Sequence, residues 1–542
     1  MPRMFVCFII MFLIGVLGAQ AGYDWVTPAG GADADRGYAV ASDQEGNIYL
    51  TGFFQNSISF GTITLAGYGS LDIFVAKVSP VGNWLWAVRA GGTGLDIARG
   101  ISTDAAGNCY VVGNFQGAAA FGSFVLQADW GSDVFATKLD PDGNFLWAAR
   151  GGGQYDDYCL GMDTNSDGVS YLTGSYKYSA SFGDIQLPNT GGSNDIFVAK
   201  IDSGGNWIWV QSVAGGTNNR GSAVAWDTGG NCLVCGHFQD SAVFGADTLS
   251  AGGVNDWDIF VGKMDGSGNW LWARRAGTPN SNLYDEGLGI ATDGSGNCYV
   301  TGIFRGTGDF GTTTLASEDP DMTDIFIAKL DISGNWMWAN SAGGTGTDSS
   351  YGIALGSWGD VYVTGDFVGA ADFGSQAINS FGSNDIFIAG ADPSGNWLWA
   401  QGAGGTSPDR SHGICIGIDG NLYITGQFYG TADFGDVTVS SAGSCDTYVA
   451  KFLVPAALPV PLPPQNLCIE MDQGGVLLQW DPVTQDTEGG AISTSFYDVY
   501  FCGSDPYGQY EWLDAVQGLY YFHSGAASLG QGFYQIKAVL DD

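Results

Sequence analysis

Positive charge is scarce in this chain: 18 Lys and Arg stand against 56 Asp and Glu in 542 residues, a formal net charge of −38. Such a surface repels a phosphate backbone and an anionic bilayer, which argues against nucleic acid or an acidic membrane as the main partner. Histidine is scarcer still. His237, His412 and His523 are the full set, far apart and without Cys/His ligand spacing, so zinc chemistry is disfavoured. No heptad pattern and no convincing helical period occur, which disfavours bundles and the strand–elbow–helix unit that a Gly-x-Ser-x-Gly nucleophile needs. Beyond the N-terminus no stretch approaches about 20 apolar residues, so no spanning helix is expected in the mature chain. Cysteine is modest, and an odd number, nine, follows residue 21. Cys109, Cys232 and Cys298 recur at one strand position, which suits buried thiols better than a disulfide framework.

What is present is glycine and aromatic residues: 87 Gly, 31 Phe, 24 Tyr and 18 Trp, the composition of turns and aromatic-rich strands. Arg3, an apolar run from Met4 to Leu17 and the small-x-small triplet Ala19-Gln20-Ala21 read as a signal peptide over 1–21, so a secreted or cell-surface protein is expected. A Phe-Gly pair recurs with its glycine at Gly61, Gly122, Gly183, Gly245, Gly311, Gly374 and Gly435, every 61 to 66 residues. The count is repeated by the strands that open at Asp72, Asp133, Asp195, Asp258, Asp324, Asp385 and Asp446. Each unit reads as four short strands, in the first copy at 37–42, 47–53, 72–78 and 83–88. Four strands repeated seven times predict an all-β, seven-bladed β-propeller over 22–452. The fourth-strand pattern Gly82-Asn-Trp-Leu-Trp-Ala has six copies, whereas the mature chain opens with Asp24-Trp25-Val26 and Ala29-Gly-Gly. The N-terminal strand is therefore expected to pair with 446–451 and complete the last blade, leaving no open edge.

Tyr49-Leu-Thr-Gly-Phe, Phe60-Gly, Asp72-Ile-Phe-Val-Ala-Lys and Gly82-Asn-Trp-Leu-Trp-Ala, with their copies, resemble the beta-propeller repeat of secreted bacterial proteins, the SBBP family. The resemblance implies propeller architecture and export, with a structural or surface-associated role, and brings no catalytic residues. Five prolines between 455 and 464 mark a stiff linker at 453–465. Residues 466–542, with Gly475-Val-Leu-Leu-Gln-Trp480, Phe496-Tyr-Asp-Val-Tyr500 and Gly532-Phe-Tyr-Gln-Ile-Lys, resemble a fibronectin type III domain, a small β-sandwich. Only five residues follow Lys537, so its last strand is expected to be missing or short, open to a partner. Cys468 and Cys502 are a candidate disulfide pair.

Up-and-down strand order puts the first-to-second and third-to-fourth turns at one end of the repeat and the other connections at the opposite end. The first set is short and stereotyped, as in Asp43-Gln-Glu-Gly-Asn and Asp140-Pro-Asp-Gly-Asn. Asp140, Asp142 and Asn144 resemble part of a calcium loop but lack its distal Glu, and turn capping explains them better. The second set carries the insertions at 253–257, 278–286 and 317–323, which makes Tyr284, Glu286, Asp319 and Asp321 ligand-binding candidates on the variable end. Four residues before the glycine of each first strand stand Asp33, Asp96, Asp157, Asp285, Asp348 and Asp409, with Thr217 in one copy. Immediately before that glycine come Arg36, Arg99, Leu160, Arg220, Leu288, Tyr351 and His412. If first strands line a central channel, Arg36, Arg99, Arg220 and His412 are candidates for a small anion or sugar acid. The Asp set is then a candidate for calcium, although amide capping and Arg–Asp pairing account for the same pattern. No cofactor is required by anything in the sequence. Because nearly every polar motif recurs in most copies, the expected role is non-enzymatic: extracellular binding of a glycan or protein, adhesion or scaffolding. A carbohydrate-active enzyme and a purely structural surface component are the alternatives.

Overall fold

The computed structural model describes residues 22–189, 191–253, 255–279, 284–357 and 359–454 in full, and the backbone of six strands between 468 and 540. The expected signal peptide, most of the proline-rich linker and the side chains of Cys468 and Cys502 lie outside the described residues. The chain divides into two compact units, one spanning Ala21–Val454 and one that includes Pro455–Asp542. In the latter, Cys468–Asp472, Gly475–Gln479 and Tyr520–Ser524 form one antiparallel sheet, and Glu511–Val516, Thr494–Cys502 and Phe533–Leu540 form another.

The large unit is all-β, built of many small antiparallel sheets, with no helix among the described residues. The first repeat supplies Arg36–Ser42, Ile48–Phe54, Asp72–Val78 and Trp84–Gly92, paired in that order. The second and third strands are buried along their whole length, as expected of continuous apolar runs in mid-sheet. The same four-strand pattern returns in every repeat, and first strands of successive repeats lie side by side. Arg410–Ile416 of the seventh lies against Arg36–Ser42 of the first. The core is correspondingly split into clusters between consecutive sheets. One joins Tyr49, Ile73 and Val75 to Phe115, Phe121 and Phe135, and another joins Leu50, Phe60 and Phe74 to Tyr423 and Val449.

Four strands per repeat is an undercount. Each Phe-Gly pair turns an additional hairpin between the second and third strands, such as Ser57–Phe60 with Ile63–Ala66 or Thr307–Phe310 with Thr313–Ala316. Its period-2 pattern is too short to separate from a loop by composition. The hairpin meets the Ala-Gly-Gly segment that leaves the preceding fourth strand, through pairs such as Gly343 N to Asp372 O at 3.2 Å and Asp372 N to Gly343 O at 2.8 Å. Close approach explains the second glycine: a β-carbon on Gly344 would lie 1.8 Å from the Ala370 carbonyl oxygen.

The paired tryptophans divide their work. The first packs on the phenylalanine of its own hairpin, as Trp84 on Phe60 at 4.8 Å and Trp270 on Phe244 at 5.0 Å. The second donates its indole N–H to the turn of the next repeat, as Trp86 to Pro141 O at 2.9 Å and Trp338 to Pro393 O at 3.2 Å. Gly22–Ala29 pairs antiparallel with Val437–Leu453, Trp25 opposite Lys451 and Ala29 opposite Thr447, the pairing expected from the six-plus-one count. Its aromatics take the vacant roles: Tyr23 packs edge-on against Phe434 at 5.1 Å, and Trp25 donates to Pro80 O at 3.3 Å.

Candidate functional site

Each first strand begins with a buried side chain that ties two loops together. Asp96 accepts from Gly92 N at 2.6 Å and Gln116 N at 3.1 Å; Asp157 from Gly153 N at 2.7 Å and Lys177 N at 3.0 Å. Asp285, Asp348 and Asp409 repeat the arrangement. The crossover into the first strand and the end of the second strand are thereby held side by side at the variable end.

The counterparts in the first and fourth copies are Asp35 and Asn219, fully buried and bonded to Gln55 N and Gln239 N, not Asp33 and Thr217. Asp33 is half-buried and accepts from Asn56 Nδ2 at 2.8 Å. The register error has a structural cause. Every first strand carries a β-bulge, and in most copies its far side is a glycine, such as Gly100 or Gly413, whereas copies one and four have Ala39 and Ala223 there and place glycine two residues earlier. Arg36 and Arg220 therefore stand one residue after the acid position and Arg99 and His412 three after it, so the anticipated single ring is two tiers. Arg36, Arg220, Glu286 and Arg410 belong to the outer tier; Tyr38, Arg99, Leu160, Ser222, Leu288, Tyr351 and His412 form the inner one.

The inner tier lines a cavity of about 230 Å³ to which all seven first strands contribute, floored by Val40, Ile101, Met162, Val224, Ile290, Ile353 and Ile414. On one side the Arg99 guanidinium lies 4.5 Å from the Tyr38 ring, and His412 stands 5.1 Å from Tyr38 and 5.2 Å from Tyr351. Burial, helped by Arg410, Arg99 and Arg36, pushes His412 down to about 3, so it is neutral at physiological pH. On the other side Arg220 Nη2 lies 2.6 Å, Ser222 Oγ 2.8 Å and His237 Nδ1 3.2 Å from Glu286 Oε1, and His237 stacks on Trp257 at 4.4 Å. Burial raises the Glu286 carboxyl, but His237 and Arg220 outweigh it and hold the group far below the usual range. Glu286 is thus a buried ion-pair partner and not a loop-surface residue beside Tyr284.

The first-strand acids face a second acid at the head of each third strand. A β-carbon on Gly91 would lie 2.7 Å from Asp72 Oδ1 and 2.9 Å from Asp96 Oδ2. One oxygen of each of Asp72, Asp133, Asp258, Asp324 and Asp446 is buried without a hydrogen-bond partner. Burial, with the facing acid adding to it, pushes Asp35 and Asp157 up to about 8 and Asp285 and Asp409 up to about 7. In the fourth copy the amide of Asn219 instead donates to Asp195 Oδ1 at 3.2 Å. Among the described residues no three or more His, Cys, Asp or Glu converge as a metal site would require. Asp140 caps its own turn, accepting from Asp142 N at 3.0 Å and Asn144 N at 2.8 Å.

The variable end also carries large exposed aromatics: Trp130 is 89% exposed, Phe381 61%, Tyr68 57% and Tyr284 49%. Tyr155 and Tyr178 stack there at 4.2 Å. Asp321 is exposed, 3.9 Å from Arg305, while Asp319 holds its own loop by accepting from Asp321 N at 2.9 Å. Tyr38, Arg410 and Trp130 were not singled out by sequence reasoning, and Tyr351 was placed in the ring but given no role. Counting from the buried acid instead of the glycine would have found the first two; nothing marks Trp130 except its lack of a periodic counterpart.

No family model matches the chain. An uncharacterized WD repeat-containing protein, L264, of Acanthamoeba polyphaga mimivirus is 24% identical over 425 residues, 64% of this chain and 30% of its own. The regulatory protein FlaEY of Caulobacter vibrioides is 25% identical over 189 residues, 33% of this chain and 20% of its own. The chain therefore spans less than a third of the length of these curated relatives, and the relationship is a distant one to a WD-repeat protein. A solved protein of unknown function from Dyadobacter fermentans aligns over 81% of this chain and 99% of its own, at 10% identity and a TM-score of 0.37. No helix among the described residues is long and apolar enough to cross a membrane.

Proposed function

We propose that residues 22–452 form a seven-bladed β-propeller of the SBBP type, followed by a fibronectin type III-like domain, in a secreted or cell-surface protein. Its role is non-enzymatic: adhesion, scaffolding or binding of an extracellular glycan or protein through the variable end. The cyclic contact of first strands and the pairing of Gly22–Ala29 with Val437–Leu453 support the ring, as does the WD-repeat relative. The observation that carries the function is that Trp130, Phe381, Tyr68 and Tyr284, in connections of different repeats that all lie on that end, are each exposed. An exposed aromatic ring with a polar edge suits stacking on a sugar or docking on a protein surface. The buried acids bridge backbone amides in nearly every copy, which is a structural duty and not the unique, separated pair a hydrolase requires. A glycan array, with mass analysis of bound oligosaccharides, tests the reading: saturable binding without cleavage, weakened about tenfold by Trp130→Ala at unchanged Tm, is expected. Sustained product formation would move the protein to the carbohydrate-active enzymes.

A further inference from the structure

The cavity at the head of the first strands is asymmetric in charge. Arg220 is matched by Glu286 at 2.6 Å, whereas neither Arg36 nor Arg99 has a carboxylate within 4.0 Å among the described residues, and Arg410 meets Asp366 only at 3.8 Å. The Nε atoms of Arg36 and Arg99 are buried with no hydrogen-bond partner. In a chain with 56 acids to 18 bases, any two guanidiniums would be expected to find acids. The Arg36 and Arg99 side chains are both half-buried, and Arg36 has only the neutral Tyr429 hydroxyl at 3.5 Å, so an anion can reach the pair from the opening and supply the counter-charge that the chain does not. Arg36 and Arg410 stand two residues nearer the crossover end than the lining residues Tyr38 and His412, so charge converges on one side of the opening.

We propose that this cavity binds a small organic carboxylate, one ring in size, with Arg99 as its main contact and Arg36 and Arg410 as supporting charges. Tyr38 stacks on Arg99 and holds the planar donor fork, the geometry suited to a two-oxygen anion. Tyr38, Tyr351, Leu160 and Leu288 in the lining offer ring and aliphatic faces to the body of an organic ligand, contacts that an inorganic anion cannot use. Neutral His412 supplies a hydrogen bond to a hydroxyl without adding charge. A volume of about 230 Å³ accommodates a single acidic sugar and not an oligomer. This site is separate from the exposed aromatics, and its occupancy does not depend on what they bind.

The test is calorimetric titration of the full chain with glucuronate, benzoate, glucose and inorganic phosphate at millimolar concentrations. Both carboxylates are expected to bind, with glucose and phosphate at least about tenfold weaker. Arg99→Gln should weaken the carboxylates about tenfold or more, Arg99→Lys should give an intermediate loss, and Arg274→Gln, on a fourth strand, should change nothing. Should Arg99→Gln not fold, Arg36→Gln and the shift of the arginine Nε–H resonances of the unsubstituted chain on adding glucuronate give the same reading. Equal binding of glucose or phosphate, an unchanged Kd in folded Arg99→Gln, or no carboxylate binding at all would overturn the proposal.

Discussion

Raising the pH should destabilise this protein in a range where most proteins are indifferent. Asp35 and Asp157 hold their protons to about 8, and Asp285, Asp324 and Asp409 to about 7, because burial outweighs their backbone donors. In the unfolded chain the same groups lose theirs near the ordinary value of 3.8. Between these limits the native state carries more protons than the unfolded state, so stability falls as pH rises, by about 1.4 kcal/mol per pH unit for each proton. His412 acts in the opposite sense, since it is neutral when folded and charged when unfolded below 6.5, which confines the clean window to pH 6.5–8. There the five acids together retain about four protons at pH 6.5 and about one at pH 8, so the slope has a ceiling of about 5–6 kcal/mol per unit at the lower end and about 2 at the upper, and one proton, about 1.4, is the least expected. Below pH 4 the sign reverses, because Asp43, Asp104 and Asp227 are held low in the native state: burial raises them, but asparagine hydrogen bonds and buried lysines prevail. Urea melts at half-unit pH steps, at low and at high salt, measure the slope. Salt would screen repulsion arising from the net charge but not buried acids. A stability that is flat or rising from pH 6.5 to 8, or a slope abolished by salt, would refute the argument.

Deleting residues 22–31 should destabilise the whole large unit and not one strand, as followed by a single-transition melt. Trp25→Ala should cost about 3–5 kcal/mol. Tyr23→Phe should be neutral or stabilising, since the Tyr23 hydroxyl is buried without a partner, and the pair of melts separates packing from hydrogen bonding. Lys263→Ala should cost about 3–5 kcal/mol by stranding Asp227, 2.8 Å away and buried with it. The double variant with Asp227→Gly should recover much of this, as the sixth repeat, with Gly356 and Gly390 at the two positions, implies; double-mutant melts read it directly. Chelation with EGTA at pH 7 should leave Tm unchanged, and a marked drop would mean that calcium bridges the facing acids.

The repeat count, the strand pattern and the role of Trp25 were legible because each rests on periodic side chains. The Phe-Gly hairpin was not, since residues such as Ser57–Phe60 are too few to show a period apart from the turn beside them. The inner and outer tiers were confused because glycine was used as the ruler, and the bulge lets glycine occupy either side of it, as Gly37 and Gly100 do. The buried acid is the sounder ruler, for it must reach two amides at fixed offsets. Glu286 was misplaced for a related reason: its insertion suggested a loop, but it opens the first strand of its repeat, where Arg220 and His237 hold it buried.

The most direct test of the account is a hydrogen-exchange footprint of the chain with the first ligand the glycan array yields. Protection is predicted at the variable end, around Tyr68, Trp130, Tyr155, Tyr284 and Phe381. Protection confined to the stereotyped turns at the opposite end, around Asp43, Asp104 and Asp293, would contradict it.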